Sequence, residues 1–73
     1  MNLAGEILNA IMFEAPRNDQ GFVTPADAAV ATVRAVTAYY FDKGVPLPKD
    51  LSAEKSLGLA IFKRVNQLEG EDL

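Results

Sequence analysis

The chain has 73 residues, a formal net charge of −3, no cysteine and no histidine. A single domain of this size buries only about 60% of the surface of its unfolded chain, and it has neither a disulfide nor a thiolate metal site to stabilise its small core. It also lacks the commonest general base and the commonest activated nucleophile after serine. We therefore predict one domain over residues 1–73 that is not an enzyme and uses no cofactor or metal.

Basic residues are scattered along the chain, and only Lys63 and Arg64 are adjacent. Nucleic-acid binding is disfavoured, because it requires several cations on one face to displace counterions from phosphates. The N-terminal segment carries Glu6 and Glu14 instead of the basic start and unbroken apolar core of a signal peptide. The longest nearly uncharged stretch, residues 28–41, is shorter than the roughly 20 residues that span a bilayer. These features predict a soluble, cytoplasmic protein with no membrane partner.

Residues 2–14 have the apolar spacing of an amphipathic helix. We expect this first helix to end before Pro16, because the residue that precedes a proline is pushed out of helical torsion angles. Its apolar stripe consists of Leu3, Ile7, Leu8, Ile11 and Met12.

A second helix is predicted over residues 25–43, with clear signals at both ends. Thr24 suits the N-cap, Pro25 suits the first helical position, and Asp27 lies near the free amides of the first turn. At the other end, Gly44 can adopt the left-handed conformation that terminates many helices.

A third helix is predicted over residues 52–69, capped by Asp50 or Ser52. Gly58 lies at the edge of its apolar stripe, where glycine costs about 1 kcal/mol relative to alanine, so we expect it to permit a close helix contact. The predicted fold is therefore all-α, a small three-helix domain that self-associates. The stripe of the third helix contains Leu57, Ile61, Val65 and Leu68.

The second helix has two non-polar faces, one bulky and one rich in alanine. Two short partner helices can cover the bulky face, so we expect the alanine face to remain open for a partner. The alternative is that the alanines are good helix formers on a solvated surface. The bulky face contains Ala29, Val30, Val33, Val36, Tyr40 and Phe41. The predicted partner-binding residues are Ala28, Ala31, Ala35, Ala38 and Tyr39.

Three consecutive aromatic residues end the second helix, immediately before a segment with two prolines, residues 45–49. Aromatic side chains supply much of the binding energy of protein interfaces. We expect Tyr40 and Phe41 to close the base of the core and Leu47 to plug its end, which leaves Tyr39 as the exposed aromatic residue.

Residues 16–27 resemble a degenerate EF-hand loop, with Gly21 at the sixth position and a predicted helix at its C-terminal end. Pro16 at the first position offers no side-chain ligand, and the final acidic residue is Asp27 instead of the longer glutamate. We therefore predict a turn at Gly21 followed by a helix start, and not a calcium site. The side-chain ligands that the resemblance implies are Asn18, Gln20 and Asp27.

Helices 2 and 3 also permit a helix-turn-helix interpretation with DNA as the ligand, supported by Lys55, Lys63 and Arg64. Their connection is longer than the usual turn of three or four residues and contains two prolines. Our leading hypothesis is a non-catalytic protein–protein interaction module, such as an adaptor, an inhibitor or a small subunit, that docks through the alanine face and forms a homodimer. DNA binding and degenerate EF-hand calcium binding are the alternatives.

Overall fold

In a computed structural model that describes residues 2–71, with side chains as far as Gln67, the protein is an all-α bundle of three helices. Helix α1 (Leu3–Asn9) continues as a π-helical turn (Ala10–Glu14), and is followed by α2 (Pro25–Lys43) and α3 (Ser52–Glu71). The predicted three-helix, all-α fold is confirmed, and the bounds of α2 match the prediction. Within residues 2–71, no helix combines the length and hydropathy that a membrane-spanning segment requires.

Both ends of α2 form as the sequence predicts. The Thr24 hydroxyl accepts a hydrogen bond from the Asp27 amide (3.2 Å) and donates one to Asp27 Oδ2 (3.0 Å). At the other end Gly44 is left-handed, with φ of 69°, and its amide donates to the Phe41 carbonyl (3.0 Å). These caps fix where α2 begins and ends, and so determine which of its residues share a face.

The first helix differs from the prediction in its last turn. Between Ala10 and Glu14 the helix widens, and the Ala15 amide donates to the Ala10 carbonyl five residues earlier (2.9 Å). A π-helical turn holds an extra residue and rotates the side chains that follow it. The predicted apolar stripe is only partly buried, with Ile7 and Ile11 inside and Leu8 and Met12 exposed, and of these two only Met12 lies within the π-helical turn.

The core combines small residues of α2 with large residues of the other two helices. Burying each large aliphatic or aromatic side chain contributes about 1.5–3 kcal/mol, so α1 and α3 supply most of the apolar stabilisation. The core consists of Ile7, Ala10, Ile11, Ala15 and Val23, then Ala28, Ala31, Ala35 and Val36 of α2, and Phe62 and Val65 of α3. The side chain of Leu68, assigned above to the stripe of the third helix, lies outside the described residues.

Helices α2 and α3 approach closely where Gly58 faces Thr32. A Cβ atom added at Gly58 would lie 2.6 Å from Thr32 Cγ2 and 2.9 Å from Thr32 Cβ. The buried Thr32 hydroxyl donates to the Ala28 carbonyl (2.8 Å), which satisfies it inside the helix. The expectation that Gly58 permits a close helix contact is confirmed.

Asn66 joins α3 to the segment that leads into α2. Its Oδ1 accepts from the Val23 amide (3.0 Å), and its Nδ2 donates to the Val23 carbonyl (2.9 Å). Val23 is almost fully buried, so without Asn66 both of its backbone groups would lack a partner in the core. Together with the Gly58 contact, this pair of bonds holds α2 antiparallel to α3 at a fixed rotation about its own axis.

Candidate functional site

The alanine face of α2 points into the bundle, so the prediction that it stays open is wrong. Ala28, Ala31 and Ala35 are only 3%, 6% and 8% exposed. The reason is volume: α1 and α3 both bring large side chains to α2, and small residues let both helices approach closely. Of the five residues predicted to bind a partner, only Ala38, which is exposed, and Tyr39, which is half-buried, retain substantial accessible surface.

The open face of α2 is instead an apolar band, here named the outer stripe, made of Val30, Val33, Thr37 and Phe41. Spacings of three and four residues place these side chains in one row along the helix. Val30 is 50% exposed, Val33 36% and Phe41 82%. The Thr37 hydroxyl donates to the Val33 carbonyl (2.8 Å), so Thr37 can be covered without leaving an unsatisfied donor. The outer stripe is therefore a surface that a partner can bury at little polar cost.

Two residues of opposite charge, Asp27 and Arg34, lie seven positions apart along one edge of the outer stripe. Asp27 Oδ2 accepts from the Thr24 hydroxyl, which leaves the second carboxylate oxygen for another donor. Among the described residues Arg34 makes no hydrogen bond or ion pair. On the other edge lies Ala29, which is exposed. The stripe thus has one charged edge and one apolar edge.

Shallow grooves run along both sides of α2. The groove between α1 and α2 has a volume of about 390 Å³ and a floor that includes Ala31, Ala35 and Ala38. Its rim carries the charged residues Glu6, Glu14, Asp27 and Arg34. The groove between α2 and α3 is smaller, about 220 Å³, and is lined by Pro25, Ala28, Ala29, Thr32, Lys55, Gly58, Leu59 and Phe62. The smaller groove is mostly apolar and adjoins the apolar edge of the outer stripe.

The aromatic residues at the end of α2 are arranged differently from the prediction. Tyr39 and Tyr40 are both half-buried and meet edge to face, with ring centroids 5.5 Å apart. Lys43 Nζ lies 4.7 Å from the Tyr39 ring centroid, and its hydrogen bond with Tyr39 raises the pKa of Lys43. Tyr40 packs against the core as expected, but Phe41 and Leu47 do not close it, because both are exposed. Phe41, and not Tyr39, is the exposed aromatic residue of this helix.

Residues 16–27 form a turn whose polar groups largely satisfy one another. Asn18 Oδ1 accepts from the amides of Gln20 and Phe22, each at 3.0 Å. The Asn18 amide donates to the Phe22 carbonyl (2.8 Å), and Gly21 takes the left-handed conformation with φ of 86°. Asn18, an expected calcium ligand under the EF-hand alignment, therefore uses its side-chain oxygen to hold the turn. Within the described residues no group of three or more acidic side chains is placed to hold a metal ion.

The basic residues that supported a DNA interpretation, Lys55, Lys63 and Arg64, are exposed on α3. Arg64 Nη1 donates to Gln67 Oε1 (3.3 Å) on the same helix. Lys55 lines the smaller groove beside Leu59 and Phe62, so this one cation borders an apolar surface.

Comparisons of the chain with protein-family models, with curated proteins and with solved structures found no match. The outer stripe of α2, its charged edge and its apolar edge are accordingly interpreted from their own geometry.

Proposed function

We propose that the protein is a non-catalytic protein–protein interaction module, in the role of an adaptor, an inhibitor or a small subunit, and that it docks through the outer stripe of α2. The observation that carries this proposal is the row of exposed valine and phenylalanine side chains on an otherwise well-packed helix. A row of large apolar side chains on a small protein is typical of an interaction surface.

The protein exposes more surface than a compact monomer of its mass. The accessible area is 5021 Å², whereas a compact monomer of 7.9 kDa is expected to expose about 4,400 Å². The bundle is elongated, with extents of 41 × 21 × 17 Å, which accounts for the additional area.

We also propose that the protein forms a homodimer, which is the simplest form of docking. The proposed location is the cytoplasm. An oligomer is a common way for a domain with so small a core to gain stability. A cytoplasmic location is consistent with a chain that contains no cysteine.

The test is affinity capture with tagged protein from the cells that produce it. Three chains are compared: wild type, Val33→Glu in the outer stripe, and Ala60→Glu, which adds the same charge at an exposed position of α3. We expect proteins, including untagged copies of this chain, to be retained by wild type and by Ala60→Glu and lost with Val33→Glu. Equal capture by all three chains would overturn the proposal.

A further inference from the structure

We infer that the occupant of the outer stripe is a second copy of this chain, paired antiparallel so that Asp27 of each copy meets Arg34 of the other. This inference rests on the proposed function and names the partner and its orientation. The order and charge of the residues along α2 carry it.

The outer stripe has the spacing of a two-helix interface. With Ala26, its exposed members follow one another at intervals of four, three, four and four residues, and the first three intervals match the alternating three- and four-residue spacing with which paired helices pack. In an antiparallel pair, Val30 of one copy packs beside Val33 of the other, and this contact occurs twice around the two-fold axis. Ala26 then lies opposite Thr37, so a small side chain faces a larger one at each end.

The charged edge selects the antiparallel direction. Asp27 and Arg34 occupy equivalent positions one heptad apart, and antiparallel pairing brings each Asp27 toward Arg34 of the second copy. Two identical ion pairs form, as an isologous interface requires. In a parallel pair, Arg34 would lie beside Ala29 of the second copy, and neither charge would gain a partner.

The apolar edge of the outer stripe fits the same antiparallel arrangement. Ala29, which is exposed on this side, and Val36, which lies one heptad further on and is only 1% exposed, are both uncharged. Leu59 of α3 is 49% exposed beside the smaller groove and extends the apolar surface along this edge. The partner's α2 therefore covers surface from both α2 and α3.

One test measures a distance in otherwise wild-type protein. Because the chain contains no cysteine, a Lys43→Cys variant carries a single spin label near the end of α2. At a rise of 1.5 Å per residue, antiparallel pairing centred between Val30 and Val33 separates the two labels by about 35 Å along the helix axes. Parallel pairing leaves them near the interaxial distance of about 8–10 Å. A short distance, or no dipolar coupling at any protein concentration, overturns the inference.

A second test uses charge. Arg34→Asp alone and Asp27→Arg alone each place like charges across both contacts, so we expect each dimer dissociation constant to rise at least about tenfold. An equimolar mixture of the two variants restores opposite charges at every contact and should form a heterodimer of near wild-type affinity. The control is Lys63→Asp on α3, which should dimerise normally.

These tests separate the inference from the proposed function. If the mixture fails to pair while the Val33→Glu variant still loses other captured proteins, the outer stripe binds a different partner and the inference of a second copy is wrong. If Val33→Glu changes neither self-association nor capture, the proposed function is wrong as well. Thermal melts of Arg34→Asp and Asp27→Arg show whether each variant is folded, and the distance measurement stands independently of them.

Discussion

The two sides of α2 are both apolar, yet one is buried in the bundle and the other is exposed. The inner side presents three alanines, Thr32 and Val36, whereas the outer stripe presents two valines and Phe41. Average hydrophobicity would bury the bulkier side. The structure buries the smaller side, because α1 and α3 already fill the core with Ile7, Ile11 and Phe62. Which face a helix buries is thus decided by the volume its neighbours leave, and the surplus apolar side becomes available for binding.

The most sensitive test of this difference between the buried and the exposed side of α2 is to place the same charge on each side. Val36 is 1% exposed, so Val36→Glu buries a carboxylate without a partner and should lower the free energy of unfolding by at least about 3 kcal/mol. Val33→Glu, three residues away on the outer stripe, should change the stability of the monomer by only about 0.5 kcal/mol. Urea denaturation followed by circular dichroism measures both. Equal losses for the two variants would mean that the faces of α2 are assigned incorrectly.

A smaller effect is expected at the contact between α2 and α3. Gly58→Ala places a methyl group against Thr32, and overpacking of this kind costs about 1–3 kcal/mol, which the better helix propensity of alanine offsets by about 1 kcal/mol. Ser56→Ala, on the exposed side of α3, is the control and should be neutral. Thr32→Ala in the Gly58→Ala background should recover part of the loss. A Gly58→Ala variant that is more stable than wild type by about 1 kcal/mol, the full gain in helix propensity, would show that α2 and α3 do not meet closely there.

The rotation of α2 also depends on Asn66. Asn66→Ala leaves the buried amide and carbonyl of Val23 without their partner, which should lower the free energy of unfolding by about 1–2 kcal/mol. Gln67→Ala, at the neighbouring exposed position, should have little effect. Hydrogen exchange at the Val23 amide gives a direct measurement, since its protection should fall in the Asn66→Ala variant. Unchanged protection would contradict the role assigned to Asn66.

The smallest expected effect concerns the start of α3, away from both faces of α2. Hydrogen bonds from the Ser52 hydroxyl (2.6 Å) and amide (2.9 Å) hold the pKa of Asp50 below its usual range. Because the folded-state pKa is the lower one, the stabilisation is present above the unfolded pKa of about 3.9. It is lost as the pH falls through the folded pKa. Asp50→Asn should remove this part of the acid dependence of thermal melting, whereas Asp42→Asn should not. Identical profiles for wild type and Asp50→Asn would refute this assignment.

The sequence was sufficient to predict the three helices and both ends of α2, because those depend on local chemistry. Thr24, Asp27 and Gly44 act within a turn of their own position, and a glycine inside a helix already indicated the close contact at Gly58. The π-helical turn of α1 has no comparable local signal in its apolar spacing.

The exposed face of α2 could not be predicted in the same way. When the residues of α2 are placed at 100° intervals around a helix, both of its faces are apolar. Which face is buried depends on contacts with residues more than twenty positions away in the sequence. The pair Thr32 and Gly58 indicates which face of α2 is buried. Thr32 is a polar residue beside the alanines, it requires a neighbour without a side chain, and Gly58 is that neighbour. Placing Thr32 opposite Gly58 would have turned Ala28 and Ala35 inward. The exposure of Phe41 could not be predicted from the sequence either, because it follows from the same rotation of α2 about its axis.

The most direct measurement is the thiol reactivity of Val33→Cys and Val36→Cys, each the only cysteine in its chain. In dilute protein, the Val33→Cys thiol should react at nearly the rate of an unfolded chain. The Val36→Cys thiol should react about 100-fold more slowly, if local opening requires about 3 kcal/mol. As protein concentration rises, the Val33→Cys thiol should become protected while the rate for Val36→Cys stays constant. Equal rates at low concentration would contradict the orientation of α2, and a Val33→Cys rate independent of concentration would contradict pairing through the outer stripe.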